Sequence, residues 1–316
     1  MRLLPPEASH VASLSGLKVW SYFKKSKPKP LRSNDIEILG LKFSNRLGLA
    51  GGMDKNADYV DPLSYLGFAF IELGTLTPRP QKGNPKPRLF RLTRKKSLVN
   101  NMGFNNKGIE YAILNLKESE SGSIVGISIG KNFDTPLNKA FEDYIFCLKK
   151  AYPIADYISI NISSPNTKDL RKLESKEYFS DLITVLKRNQ EDLSKELGYK
   201  PIVLKLSPDL EEGELENISK EILDKEIDGI ISSNTTISHN YVQRGGLSGE
   251  ELFDISNKNL ISLRDFLGPS FPIIASGGVM SRDHFKKKLE LGADLVQIYT
   301  GMIYKGPVLI KEILDS

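Results

Sequence analysis

Residues 157–163 read YISINIS and residues 202–207 read IVLKLS, and a helix-patterned stretch over 178–197 lies between them. Both runs are too short for helices, are rich in β-branched residues and break at Ser. Alternation puts Ile158, Ile160 and Ile162 on one face of the first, opposite Ser159, Asn161 and Ser163. In the second, Ile202, Leu204 and Leu206 oppose Val203, Lys205 and Ser207. A strand with one wholly apolar face, a helix, and a second such strand form the unit of a parallel sheet covered by helices. The same reading extends outward to 47–52 (LGLAGG), 68–74 (FAFIELG), 124–130 (IVGISIG), 229–234 (GIISSN), 272–278 (PIIASGG) and 295–301 (LVQIYTG). Helical stretches such as 141–151 and 282–291 separate them. Eight repeats of strand and helix predict an α/β fold, a (β/α)8 TIM barrel. A doubly wound open sheet is the alternative, but it usually carries GxGxxG after its first strand, and here that turn reads GLAGGMDKNAD.

Two stretches fall outside the repeat. The second and third strands start about 56 residues apart, and the gap holds a Pro/Gly-rich loop (TPRPQKGNPKPR) with two extended pieces, LFRL and SLVNN. It reads as an insertion at the catalytic end. Residues 36–45 (IEILGLKFSN) read as a hairpin closing the bottom of the barrel. Before it, Pro5 and Pro6 on one side and Pro28 and Pro30 on the other bound a helix of about 7–24, with Val11, Leu14, Leu17, Trp20 and Phe23 as its apolar stripe. The domain division is therefore a short basic helical segment over 1–34 and a barrel over 35–316.

The chain has 316 residues, 40% hydrophobic and 26% charged, as in a globular protein with a large core. One cysteine, Cys147, allows no internal disulfide, and its place in a helical pattern reads as a small buried hydrophobe. No run reaches the ~18 apolar residues of a membrane span. The net charge of +5 is unevenly placed. Residues 1–34 hold seven basic residues and one acid, and 35–316 hold 37 basic and 38 acidic. A nucleic-acid binder would more often spread basic groups over a folded face. A basic segment with Trp20, Tyr22 and Phe23 reads either as a contact with an anionic membrane surface or as a solvated tail.

The three histidines are scattered, and HExxH, CxxC, GxSxG and GxxxxGK[ST] are all absent, so no metal site is expected and hydrolase or nucleotide-triphosphatase chemistry is disfavoured. What remains lies at strand ends. Lys205 and Asn161 should point into the barrel, where a lysine is costly unless it meets an anion or a polarised acceptor. Lys55 follows the first strand at the same rim. Asparagines are dense there: Asn100, Asn101, Asn105, Asn106, Asn132, Asn161, Asn166 and Asn234. Together they suggest a planar ligand rich in amide-like donors and acceptors. The last two strands end in ASGG and IYTG, where a barrel commonly binds phosphate. A phosphorylated cofactor and a small, flat, anionic substrate are expected, with the cofactor supplying redox chemistry.

These motifs, taken in order, resemble the dihydroorotate dehydrogenase family, in its class 2, quinone-linked branch. The likeness runs from about residue 36 to the end through GLAGGMDKNAD, ELGTLTPRPQKGNPKPRLFRL, NNMGFNN, IGKNFDTP, NISSPNT, KLSPDL, SNTT, GGLSG, ASGGV and VQIYTG. It implies FMN in the barrel mouth, with Ala50, Gly51 and Thr75 lining the flavin and Asn132, Asn161, Lys205 and Ser233 bonding its ring and ribityl chain. Gly249, Gly278, Tyr299 and Thr300 would surround the ribityl chain and phosphate. Orotate would be held by Lys55, Asn100, Asn101, Met102, Gly103, Phe104, Asn161, Asn166, Asn234 and Thr235. Ser164 matches the catalytic base, a serine in class 2 where class 1 has cysteine, and Thr167 with a water would relay its proton. His10 and Arg91 match residues lining the quinone tunnel. The implied reaction removes a proton from C5 of dihydroorotate while C6 delivers hydride to the flavin, and a membrane quinone then takes the electrons. The partners implied are dihydroorotate, orotate and a membrane quinone, with no nucleic acid, in a monomer attached peripherally to the cytoplasmic face of the inner membrane. Asn101 stands where many class 2 members have arginine, and Asp169 where glycine is usual. A soluble class 1 enzyme using fumarate or NAD is the nearest rival. A non-redox phosphate-binding barrel would explain the terminal glycines but not Lys205 with the asparagines.

Overall fold

The computed structural model describes residues 4–24 and 36–315, so the predicted 34/35 boundary and Lys25, Lys27 and Lys29 lie outside the described residues. Helix α1 (Pro6–Ser21) opens the chain, followed by the antiparallel pair β1 (Ile36–Ile38) and β2 (Leu41–Phe43). Then come β3 (Leu47–Leu49), α2 (Val60–Ser64), β4 (Phe70–Leu76), β5 (Leu89–Leu92), β6 (Ser97–Asn100) and α3 (Ile109–Lys117). The middle of the chain holds β7 (Ile124–Ile129), α4 (Ala140–Ala151), β8 (Tyr157–Asn161), α5 (Lys176–Leu197), β9 (Ile202–Leu206) and α6 (Glu212–Asp224). It ends with β10 (Gly229–Ser232), β11 (Gly246–Gly249), α7 (Phe253–Leu267), β12 (Ile273–Ala275), α8 (Arg282–Glu290), β13 (Leu295–Ile298), α9 (Thr300–Lys305) and α10 (Pro307–Leu314).

The eight strands read from the sequence are the eight staves of a closed barrel, in the order β3-β4-β7-β8-β9-β10-β12-β13, all parallel. Parity decides what goes where. Ile158, Ile160, Ile202, Leu204 and Leu206 join the layer between strands and helices. Phe70, Tyr157, Val203, Ile231, Ile274 and Leu295 point inward and fill the lower barrel. Two inward glycines make room for the large rings: a Cβ on Gly48 would come within 2.2 Å of the Phe70 ring, and one on Gly126 within 2.0 Å of Tyr157. Phe43 of the β1–β2 hairpin caps this layer, edge-on to Phe70 with centroids 5.4 Å apart. The hairpin thus closes the bottom, as its position in the sequence predicts.

The long insertion is extended as expected, with β5 and β6 antiparallel. Unexpectedly, β11 (GLSG) adds a third strand on the other side of β6. This small sheet lies at the C-terminal mouth. Helix α1 lies against α2 and β5. Its predicted stripe is split: Leu14 is buried and Leu17 packs on the core, whereas Val11 (58%) and Phe23 (80%) are exposed. The helix ends at Ser21, and Val11 lies about 60° around the axis from Leu14, away from the body. Cys147 is fully buried in α4, and burial pushes its thiol well up.

Candidate active site at the barrel mouth

Above the apolar plug, the inward positions of the strands turn polar. On β9, Val203 belongs to the plug and Lys205 comes next on the same side. On β4, Phe70 is followed by Glu72 at the same parity. The two meet: Lys205 Nζ donates to Glu72 Oε1 at 3.2 Å, with 8% and 0% of their side chains exposed. The other oxygen of Glu72 accepts from Gln297 Nε2 at 3.0 Å and from Tyr157 Oη at 3.4 Å. The anion needed beside Lys205 is therefore supplied first by the protein itself. Sequence reading found the lysine and missed its partner, although a lone carboxylate with inward parity in an otherwise apolar strand was the visible signal.

Over this pair opens a cavity of about 1080 Å³. All but two of the residues assigned from the sequence to flavin, to substrate or as the base line it. From the assigned flavin side these are Ala50, Gly51, Thr75, Asn161, Lys205, Ser233, Gly249, Gly278, Tyr299 and Thr300, and from the substrate side Lys55, Asn100, Met102, Gly103, Phe104, Ser164, Asn166, Asn234 and Thr235. Asn132 does not line it. Its Nδ2 donates to Thr77 Oγ1, Arg79 O and Gln81 Oε1, and its Oδ1 accepts from Arg79 N, so its amide ties the loop after β4. Asn101 also stands off the wall, accepting from Asn84 Nδ2 at 2.8 Å. The wall includes Gln297 and Ser248, which have no role assigned from the sequence, and Gly277 of the ASGG strand end.

The asparagines knit the mouth together. Asn161 donates to Thr75 Oγ1 at 2.8 Å, and Asn234 donates to Asn161 Oδ1 at 3.2 Å and Ser163 Oγ at 3.0 Å. Asn166 reaches across to Asn100 Oδ1 at 2.8 Å, while its own buried Oδ1 has no partner among the described residues. Ser164, nearly buried in the loop after β8, accepts from the Asn166 N–H at 3.3 Å. Arg171 holds that loop from behind, donating to Ser163 O at 3.0 Å, Asp209 Oδ2 at 2.7 Å and Thr235 O at 2.9 Å. Asp169 has φ 58°, a left-handed conformation that Asp tolerates better than most residues. At the other rim Lys55 donates to Gly52 O at 2.7 Å, and burial lowers it to about 8.

A second, largely apolar cavity of about 1490 Å³ lies between α1 and the barrel. His10, Leu14 and Leu17 form one side, and Arg91, Thr93, Met302 and Ile303 are on the other. It shares Lys55, Leu89, Leu98, Met102 and Tyr299 with the first cavity, so the two are separated by one layer of side chains. Burial, followed by the charge of Lys55, depresses His10 to about 4. Glu7 anchors the helix through Arg88 Nε at 2.6 Å and Lys86 Nζ at 2.9 Å. Burial alone would raise the Glu7 carboxyl, but hydrogen bonds and charge from Arg88 and Lys86 outweigh it and hold the carboxyl below its usual value.

A family model described as dihydroorotate dehydrogenase matches residues 34–316. The chain belongs to the dihydroorotate dehydrogenase family. A relative named dihydroorotate dehydrogenase (quinone) from an Azoarcus species is 47% identical over 292 residues, 90% of this chain and 86% of the relative. One of the same name from Acinetobacter baylyi is 45% identical over 325 residues, 99% of this chain and 96% of the other. Among solved structures, dihydroorotate dehydrogenase of Eimeria tenella in complex with ferulenol has a TM-score of 0.89 at 32% identity, covering 98% of this chain and 90% of that one. The family likeness includes α1, since these alignments span nearly the whole chain. No helix of the described residues is long and apolar enough to cross a membrane. No cluster of potential metal ligands occurs among them.

Proposed function

We propose that this dihydroorotate dehydrogenase oxidises (S)-dihydroorotate to orotate with FMN in the barrel mouth and passes the electrons to a membrane quinone, in the de novo route to pyrimidine nucleotides. The observation that carries the reading is the pair of adjoining cavities. One is polar and lined by Ser164, Lys55, Asn100, Asn166 and Asn234; the other is apolar and runs beneath α1 past His10 and Arg91.

The first cavity fits FMN in its chemistry. At one end glycines bring backbone close: a Cβ on Gly278 would come within 2.3 Å of Phe253 Cα, and one on Gly301 within 2.3 Å of Val279 O. At the other end Lys205, Asn161 and the partnerless Oδ1 of Asn166 and Oε1 of Gln297 offer donors and acceptors to a flat ring. Bound there, FMN would accept hydride equivalents from the substrate and release electrons one or two at a time. Asn132 and Asn101 would act through the loops they tie.

The chain's own part follows. Lys55, charged below about pH 8, attracts the substrate carboxylate, and Asn100, Asn166 and Asn234 with Thr235 fix the plane of the ring. Ser164 takes the C5 proton. A serine hydroxyl is a weak base, so the proton must move on, and the buried Thr167 Oγ1, partnerless among the described residues, is the candidate relay. Lys205 stabilises negative charge developing above it. Helix α1, which leaves Val19, Trp20, Tyr22 and Phe23 exposed, would bring a monomeric protein to the cytoplasmic face of the inner membrane. Spectroscopy of the purified protein tests the scheme. A flavin spectrum should bleach with dihydroorotate without oxygen and return on adding quinone. A colourless protein that takes up no FMN, or a flavin that dihydroorotate does not bleach, refutes it.

A further inference from the structure

The mouth has two lysines in its wall, Lys55 and Lys205, and both belong to the substrate and ring end. No basic side chain lines the glycine end assigned to the phosphate. One cation nevertheless stands behind it. Lys288 of α8 is completely buried, and no carboxylate comes within ion-pairing distance of it among the described residues. Its hydrogen-bond partner is Ser256 of α7: Nζ donates to Oγ at 2.7 Å. Asp254 favours the charged form without pairing, whereas burial, the larger effect, lowers the lysine to about 7. An ammonium buried with one hydroxyl and one aromatic face is expensive, and the mechanism above makes no use of it.

The hydrogen-bond direction is fixed by chemistry. While Lys288 is charged its ammonium can only donate, so Ser256 Oγ accepts and its own proton must go onward. Two carbonyls lie within reach of that one proton, Gly277 O at 3.0 Å and Phe253 O at 2.9 Å. A trans peptide holds its C=O and the following N–H on opposite sides. With Gly277 O turned toward Ser256, the Gly278 N–H is turned the other way, and both glycines line the cavity. That N–H donates to no other group among the described residues. Gly277 (φ 100°) and Gly278 (φ 77°) adopt conformations open to glycine, and α7 abuts them too closely for a Cβ. His284, one helical turn before Lys288, stacks on Phe253 at 4.0 Å, with Nδ1 3.1 Å from Gly278 O. Lys288 lies 5.4 Å from the centre of the same ring.

We propose that Lys288 is a positioning residue for the phosphate of the cofactor: through Ser256 it holds the Gly277–Gly278 peptide with its N–H aimed into the cavity, and it supplies the positive charge that the cavity wall lacks there. The inference rests on the FMN reading given above. A phosphate dianion behind the turn is the missing counter-charge for the lysine, and the lysine is the missing cation for the phosphate.

Riboflavin, which is FMN without its phosphate, separates this role from mere packing. The full-length protein is stripped of flavin and titrated with each flavin, following quenching of flavin fluorescence. Lys288→Met, which keeps length and loses charge, should weaken FMN on the order of 10- to 100-fold and riboflavin by less than about threefold. Ser256→Ala, which keeps the charge and breaks the link, should cause a smaller loss confined to FMN; if the lysine variant does not fold, this variant decides. Equal loss of both flavins, or no loss of FMN, overturns the role of Lys288. A wild-type protein that binds riboflavin as tightly as FMN overturns the FMN reading as well, so the two failures are told apart.

Discussion

Replacing Lys205 with methionine tests the polar floor of the cavity from two directions. The ion pair with Glu72 is 3.2 Å long and both side chains are almost wholly buried, so solvent screens it little. Removing one partner of such a pair costs about 3–5 kcal/mol, because the other charge stays buried alone. At about 2–4 °C per kcal/mol for a barrel of this size, the melting temperature of the flavin-free protein should fall by roughly 6–20 °C. The flavin should respond as well. A unit charge about 4 Å from a reduced, anionic ring is worth about 4 kcal/mol at an effective dielectric constant near 20. For a two-electron couple, in which 30 mV corresponds to about 1.4 kcal/mol, the midpoint potential should fall by about 90 mV. Equilibration with reference dyes measures it. Glu72→Gln leaves Lys205 in place without its counter-charge, so its potential should move the opposite way, upward. Potentials that stay put in both variants, or shift with the same sign, would refute the assignment of Lys205 and Glu72 to the flavin.

Three further outcomes are expected. Ser164→Ala should keep flavin and orotate bound but slow flavin reduction by dihydroorotate about 10²–10⁴-fold in stopped-flow, and reduction at the wild-type rate removes Ser164 as the base. Since burial lowers Lys55 to about 8, it loses its charge as pH rises through that value, so KM for the anionic substrate should climb above pH 8; a flat profile from 7 to 9 means that another group holds the carboxylate. Docking of α1 should weaken as pH falls from about 6.5 toward 4. His10, at about 4 in place and near 6.5 when released, binds more protons undocked, and Glu7 at lower pH loses the charge that holds Arg88. Quinone turnover should therefore decline over that range faster than flavin reduction does, and His10→Gln should flatten the difference.

Much of the architecture was legible because each barrel strand has one apolar face and a polar or glycine stop, and these signals are local. Strand β11 was not legible: two of its four residues are glycines, which suggest a loop, and only its neighbours make it extended. A Cβ on Gly246 would come within 1.9 Å of Thr235 Oγ1, and one on Gly249 within 2.5 Å of Lys96 O. The stripe on α1 was misread because spacing alone cannot say which flank meets the barrel, and Val11 and Phe23 turned out to face away. Lys205 was found by parity, and Glu72 obeys the same rule. Lys288 was hidden in the run KKK, which reads as a solvated face. Of the three, Lys286 and Lys287 are exposed and Lys288 has no exposure at all, a distinction set by the rotation of α8 against α7.

The single layer of side chains between the two cavities also bears on how inhibitor resistance could evolve. A compound lodged under α1 touches two kinds of position. Thr93, Leu14 and Ile303 face only the apolar chamber, whereas Leu98, Met102 and Tyr299 face both. Escape through the first kind leaves the polar chamber intact. Escape through the second reshapes the chamber proposed above to hold the pyrimidine, and on that reading carries a fitness penalty from the start. Compounds that lean on the shared wall leave a population fewer viable routes out than compounds held by the α1 side alone.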